Sequence, residues 1–212
     1  FKGCTALESI VLPAGLTFMG RWVFSGCTAL KVLAIPENVV SLGYSAFSGC
    51  TALESAIIPH GITELNDDVF SGCTSITIAH LSDSVTSIGK WAFKGCTALK
   101  SVNIPDGVKE VGEGAFSGCT SLEEVYIPSG VRHIGMCAFT GCASLTISCE
   151  KKKPLFPFMG KWDKDWLGAS KTDAPKVLWN CKNKPINFEN TIDKEQDMVY
   201  TDKNSIETDD VK

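Results

Sequence analysis

The chain has 212 residues, a formal net charge of −4 and a pI near 5.4. With no broad basic footprint, that balance argues against nucleic acid or an anionic membrane surface as the main partner. No apolar run approaches the ~18–20 residues of a membrane span, and no basic-then-apolar leader ends at a small-residue cleavage site.

Phe1-Lys2-Gly3-Cys4-Thr5-Ala6-Leu7 opens the chain, and near-copies begin at Phe24, Phe47, Phe70, Phe93, Phe116 and Phe139, each 23 residues after the last. A constant period of that size marks a solenoid in which every repeat is one coil and buries its apolar stripe only against its neighbours. The chain starts inside a repeat and without Met, so it reads as a piece of a longer protein.

Within one repeat, Val125 and Ile127 alternate with outward side chains at period two, the pattern of a half-buried strand, and Leu122 anchors its entry. The same columns hold Leu30/Leu33/Ile35, Leu53/Ala56/Ile58 and Leu99/Val102/Ile104, which predicts strands stacked in register about 4.8 Å apart in one parallel sheet. Pro13, Pro36, Pro59, Pro105 and Pro128 end the strands, since proline gives no N–H to a ladder. Gly15, Gly61, Gly107 and Gly130 follow at turn positions, with Asn38 a substitute. An apolar pair three apart, such as Val108/Val111 or Val131/Ile134, then predicts a short extended segment. Gly112-Glu113-Gly114-Ala115-Phe116 fits one irregular or 3₁₀ turn back to the next strand, and helix content should be low.

Two coils depart from this pattern. Ser82 and Ser84 replace the Pro and Gly, Ala79 sits in the strand core, and Asn66-Asp67-Asp68 replaces Gly-x-x. The last of these, beside Glu64, offers oxygen ligands for calcium but lacks the alternating loop spacing, and a solvated turn is the favoured reading.

The outward strand positions form two columns. One reads Val11, Ala34, Ile57, His80, Asn103, Tyr126, Cys149, and the other Ser9, Val32, Ser55, Ile78, Ser101, Glu124, Ile147. Exposed apolar groups beside polar ones mark recognition faces, so the candidate binding residues are Ile57, Ile78, His80, Asn103, Glu124 and Tyr126. A plain solvent-facing sheet is the competing reading. The next column, Glu8, Lys31, Glu54, Thr77, Lys100, Glu123, mostly alternates in sign and reads as structural.

Cys4, Cys27, Cys50, Cys73, Cys96, Cys119 and Cys142 share one repeat phase, which favours buried packing thiols over disulfides or a metal. Cys137, Cys149 and Cys181 lie outside that column, and whether Cys149 and Cys181 pair is open. His60, His80 and His133 fall at different phases and predict no zinc cluster. Neither nucleophile elbow, phosphate loop nor metalloprotease motif appears, so no enzyme activity and no cofactor are expected.

The array spans 1–149. Residues 150–181 concentrate large apolar side chains, among them Phe156, Phe158, Trp162, Trp166 and Trp179, and are expected to cap the open end. Residues 182–212 turn polar and charged and read as a tail or linker.

Written as Phe-x-Gly-Cys-Thr-x-Leu-x-x-Ile-x-Ile-Pro-x-Gly-Val-x-x-Ile-Gly-x-x-Ala, the repeat resembles the BspA-like leucine-rich repeats of bacterial and protist surface proteins, from about Phe1 to Ser148. The resemblance implies an α/β leucine-rich-repeat solenoid, a right-handed superhelix with a parallel sheet on one face and short turns or 3₁₀ segments on the other. It also implies a secreted or cell-surface protein that adheres to a protein or glycan, such as host matrix or another cell, and it carries over no catalytic residue. A structural spacer, or an appendage to a larger surface protein or enzyme, is the alternative. A monomer is expected.

Overall fold

The computed structural model describes residues 1–151, 161–162, 165–168, 174–179 and 181. The coils stack at the expected period. Strand β1 (Phe18–Met19) pairs in parallel with β2 (Ser41–Leu42), and from there the strands alternate between two sheets. The first sheet contains β3 (Ser55–Ile58), β5 (Ile78–Leu81), β7 (Ser101–Val102), β9 (Glu124–Ile127), β11 (Thr146–Cys149) and β13 (Lys176–Trp179). The second contains the two-residue strands β4 (Glu64–Leu65), β6 (Ser87–Ile88), β8 (Glu110–Val111), β10 (His133–Ile134) and β12 (Lys161–Trp162). The second sheet is the extended segment foreseen at the apolar pairs. Among the described residues there is no helix, 3₁₀ turns included, so the α/β description gives way to an all-β solenoid whose corners are hydrogen-bonded turns.

Between the sheets lies one continuous core. Phe1, Phe24, Phe47, Phe70, Phe93, Phe116 and Phe139 stack ring on ring, with centroids 5.2–5.8 Å apart and planes within 13° of parallel. Offset parallel rings at that spacing are a favourable aromatic geometry. Trp166 stands edge-on to the last ring, 5.9 Å from Phe139. Phe156, Phe158 and the tail 182–212 lie outside the described residues, as does the Trp162 side chain.

The cysteines form a second column. Each thiol from Cys27 to Cys142 in the repeat phase donates to the Phe carbonyl of the preceding coil at 3.1–3.2 Å. All ten cysteines are free thiols, and those six are buried. Burial pushes Cys96, Cys142 and Cys149 up to about 12, because a thiolate there would lose its hydration. Cys181 donates its amide to the Cys149 carbonyl at 2.9 Å, so it joins the end of the array by its backbone.

One expectation fails in the last coil. Thr146 pairs with Glu124, Ile147 with Val125, Ser148 with Tyr126 and Cys149 with Ile127, a shift of one residue from the repeat count. The strand follows its buried face: Leu145, Ile147 and Cys149 alternate without the extra residue that separates Leu122 from Val125. Cys149 and Ile147 are therefore fully buried core residues and leave the outward columns, where half-buried Thr146 and buried Ser148 pair in their places.

The irregular coils keep their turns. Ser82 accepts the Val85 amide at 3.1 Å, as Pro105 accepts that of Val108 at 3.0 Å. Its hydroxyl lies 2.9 Å from the Pro59 carbonyl and 2.8 Å from the Ser84 hydroxyl, which lies 2.8 Å from the Ile62 carbonyl, so the two hydroxyl protons serve two of these three contacts at a time.

Candidate functional site

The first sheet brings the predicted residues onto one face. Ile57 stands opposite His80, and Ile78 stands between Ser55 and Ser101, followed by Glu124. Asn103 lies just past the end of β7, between His80 and Tyr126 in repeat order. All six are half-buried, flanked by fully buried Ala56, Ala79, Val102 and Val125 underneath.

Their roles differ. The side chain of Asn103 is committed to its neighbour: Oδ1 accepts the Leu81 amide at 2.7 Å and Nδ2 donates to the Leu81 carbonyl at 2.7 Å. The amide thereby substitutes for the main-chain ladder, and β7 ends at Val102. Asn103 is thus built into the sheet, which the column pattern alone did not reveal. Tyr126 is tied at its hydroxyl to Glu150; desolvation raises its pKa, helped by the charges of Glu150 and Asp106. Glu150 Oε2 also accepts the Ser129 amide at 2.7 Å, which fixes the carboxylate.

His80 differs from these two. Its Nδ1 is buried and, among the described residues, has no hydrogen-bond partner. Desolvation depresses its pKa, the nearby Asp83 opposing and His60 reinforcing the shift, so the ring is neutral at physiological pH. That nitrogen faces inward, so the half-buried imidazole offers the face its remaining ring edge beside Ile57 and Ile78.

Among the described residues no group of three His, Cys, Asp or Glu side chains could hold a metal ion, the Asn66-Asp67-Asp68 turn included. Asn66 instead donates to the Leu42 carbonyl at 2.6 Å and Asp67 accepts the Lys90 amide at 2.8 Å. No helix among the described residues is long and apolar enough to cross a membrane.

A family model described as the BspA type leucine rich repeat region matches in six copies over residues 1–100 and 64–152. The chain belongs to the BspA-type leucine-rich repeat family. Among solved structures, a leucine-rich repeat protein of T. pallidum is similar at 27% identity and TM-score 0.64, over 88% of this chain and 82% of that one. A leucine-rich repeat protein of Eubacterium ventriosum matches at 27% identity and TM-score 0.59 over 78% of this chain, which spans 41% of that longer protein. A leucine rich cell surface protein of Faecalibacterium prausnitzii shares the fold at 21% identity and TM-score 0.52, over all of this chain and 65% of its own length. No curated protein matches. The BspA-type repeats bring no evidence of catalysis, and members with this fold are in general binding modules.

The BspA-type array has a second outward surface that the strand columns did not point to. On the side of β1 and β2, Phe18, Trp22, Val40 and Tyr44 are 58, 47, 58 and 41% exposed. The signal was present as three apolar exceptions in otherwise polar phases: Phe18 among Ser41, Glu64 and Ser87, Val40 among Thr17, Thr63 and Thr86, and Tyr44 among Arg21, Asp67 and Lys90.

Proposed function

We propose that this chain is a non-catalytic binding or adhesion module of a secreted or cell-surface protein, and that it recognises a protein segment or glycan through the first sheet. The observation that carries the reading is the row of half-buried apolar and polar side chains, Ile57, Ile78, His80, Glu124 and Tyr126, that the parallel register brings onto one face of the first sheet. Ile57, Ile78 and Tyr126 supply apolar contact to a partner, and His80 and Glu124 supply polar groups beside it. Surface location is supported by the family resemblance and by the Faecalibacterium neighbour, itself described as a cell surface protein.

The test is a screen of the chain against a glycan array and a panel of matrix proteins, followed by titration of the best binder. His80→Ala with Tyr126→Ala should weaken that binding at least about tenfold with little change in thermal midpoint. Undiminished affinity in the double variant rejects the sheet face as the site.

A further inference from the structure

On the second-sheet side, the first three coils carry a graded surface. Arg21, Tyr44 and Asp67 occupy one repeat phase in successive coils, and Trp22, Ser45 and Asp68 the next. Cations therefore mark one end, with Arg21 lying 4.8 Å over the Tyr44 ring and Lys2 5.5 Å over Trp22. Carboxylates mark the other end, exposed Val40 and Tyr44 lie between, and exposed Phe18 and Trp22 share the coil of Arg21. Among the described residues neither Arg21 nor Lys2 has a carboxylate within ion-pair distance; the pairs formed are Lys31–Glu8 and Lys90–Glu113.

We infer that a second copy of this chain docks on this surface, antiparallel to the first, about a two-fold axis that lies in the interface at the level of Tyr44. Such an axis reverses the order of the coils and keeps each repeat phase. Tyr44 then meets the partner's Tyr44, Val40 meets the partner's Val40, and Arg21 meets the partner's Asp67. Trp22 with its Lys2 meets the partner's Asp68. One patch serves both subunits, as a closed two-fold dimer requires, and each positive end covers a negative one. A parallel pair would set like charges together. An anionic glycan fits less well, because Arg21 and Lys2 cover the ring faces a sugar would stack on and the carboxylates of the third coil repel it. The dimer replaces the monomer expected from the repeat pattern, and it leaves the first sheet free, so its failure and the failure of the proposed binding face are separate results.

Sedimentation equilibrium of the 212-residue chain decides the matter. A reversible dimer that weakens with added salt is expected. Arg21→Glu and Asp67→Arg should each raise its dissociation constant about tenfold, since each change alters two symmetric contacts, and the two together should restore it to within about threefold. Asp67→Asn keeps an acceptor for the Lys90 amide and removes the charge, and should weaken the dimer with no loss of folding. A chain that stays monomeric up to ~0.1 mM, whether or not it binds a sulfated glycan, overturns the inference, as does a dimer indifferent to these variants.

Discussion

Asn66 donates its side-chain Nδ2 to the Leu42 carbonyl at 2.6 Å, in the place where four other coils use the main-chain amide of a glycine. Gly43, Gly89, Gly112 and Gly135 donate to Met19, Leu65, Ile88 and Val111 at 2.7–2.8 Å. They approach so closely that a β-carbon would stand 2.4–2.6 Å from the preceding backbone. Asn66 has that β-carbon, so its backbone stands off, and the pairing of two-residue strands is interrupted between β2 and β4. Asn66→Ala should cost about 1–3 kcal/mol by leaving a carbonyl unpaired. Asn66→Gly should recover the loss and join the two ladders, visible as slowed amide exchange at position 66. Equal thermal midpoints for the two variants would show that the side-chain bond does not support the coil.

At Asn103 the same kind of substitution carries two bonds instead of one. Asn103→Ala should lose about 1–3 kcal/mol for the exposed ends of the ladder at Leu81. Asn103→Asp should be worse at neutral pH, because a carboxylate oxygen would face the Leu81 carbonyl, and it should partly recover on acidification as the group protonates. Chemical denaturation at pH 7 and pH 4 measures both. An alanine variant of unchanged stability but reduced ligand affinity would return Asn103 to the binding site.

The buried thiols set an alkaline limit. Cys96, Cys142 and Cys149 are neutral in the fold up to about 12, against an ordinary value of 9.0. Their raised folded values mean that the stability they contribute is complete below pH 9.0 and is lost as pH rises towards 12. In that window each costs about 1.4 kcal/mol per pH unit, since only the unfolded chain releases the proton. A urea midpoint that falls steeply above pH 9 is expected, together with core thiols that resist alkylation until denaturant is added. A midpoint flat to pH 11 would contradict the buried column.

Removing one ring from the aromatic column should be felt on both sides. Phe93 packs at 5.4 and 5.5 Å on Phe70 and Phe116, and its side chain has no exposed surface. Phe93→Ala should cost roughly 3–5 kcal/mol by calorimetry. A loss under about 1 kcal/mol would mean the neighbouring coils close over the gap.

The period carried most of the architecture. Phe at one phase, Pro ending each strand and the apolar pairs at another required stacked coils with two extended segments. The one-residue shift at Ile147 was legible in principle, because Leu145, Ile147 and Cys149 alternate where the count does not. Burial decides a strand's register, and counting from Phe139 does not. Of the candidate site, the positions of Ile57, His80 and Tyr126 on one face were legible from phase. The commitment of Asn103 to Leu81 was not, because an outward amide can turn to solvent or to the next strand, and only the local geometry selects.

A chain of near-copies must also avoid stacking the wrong coils. If folding skipped one, phenylalanine would still fall on phenylalanine and each thiol would still find a carbonyl, so the repeated contacts cannot tell adjacent coils from distant ones. The pairs in which both side chains occur once can. Arg21 over Tyr44 and Lys90 with Glu113 each join two side chains that no other coil carries at that position. The positions that break the consensus act as address labels, and an array made perfectly uniform would be harder to assemble in one order.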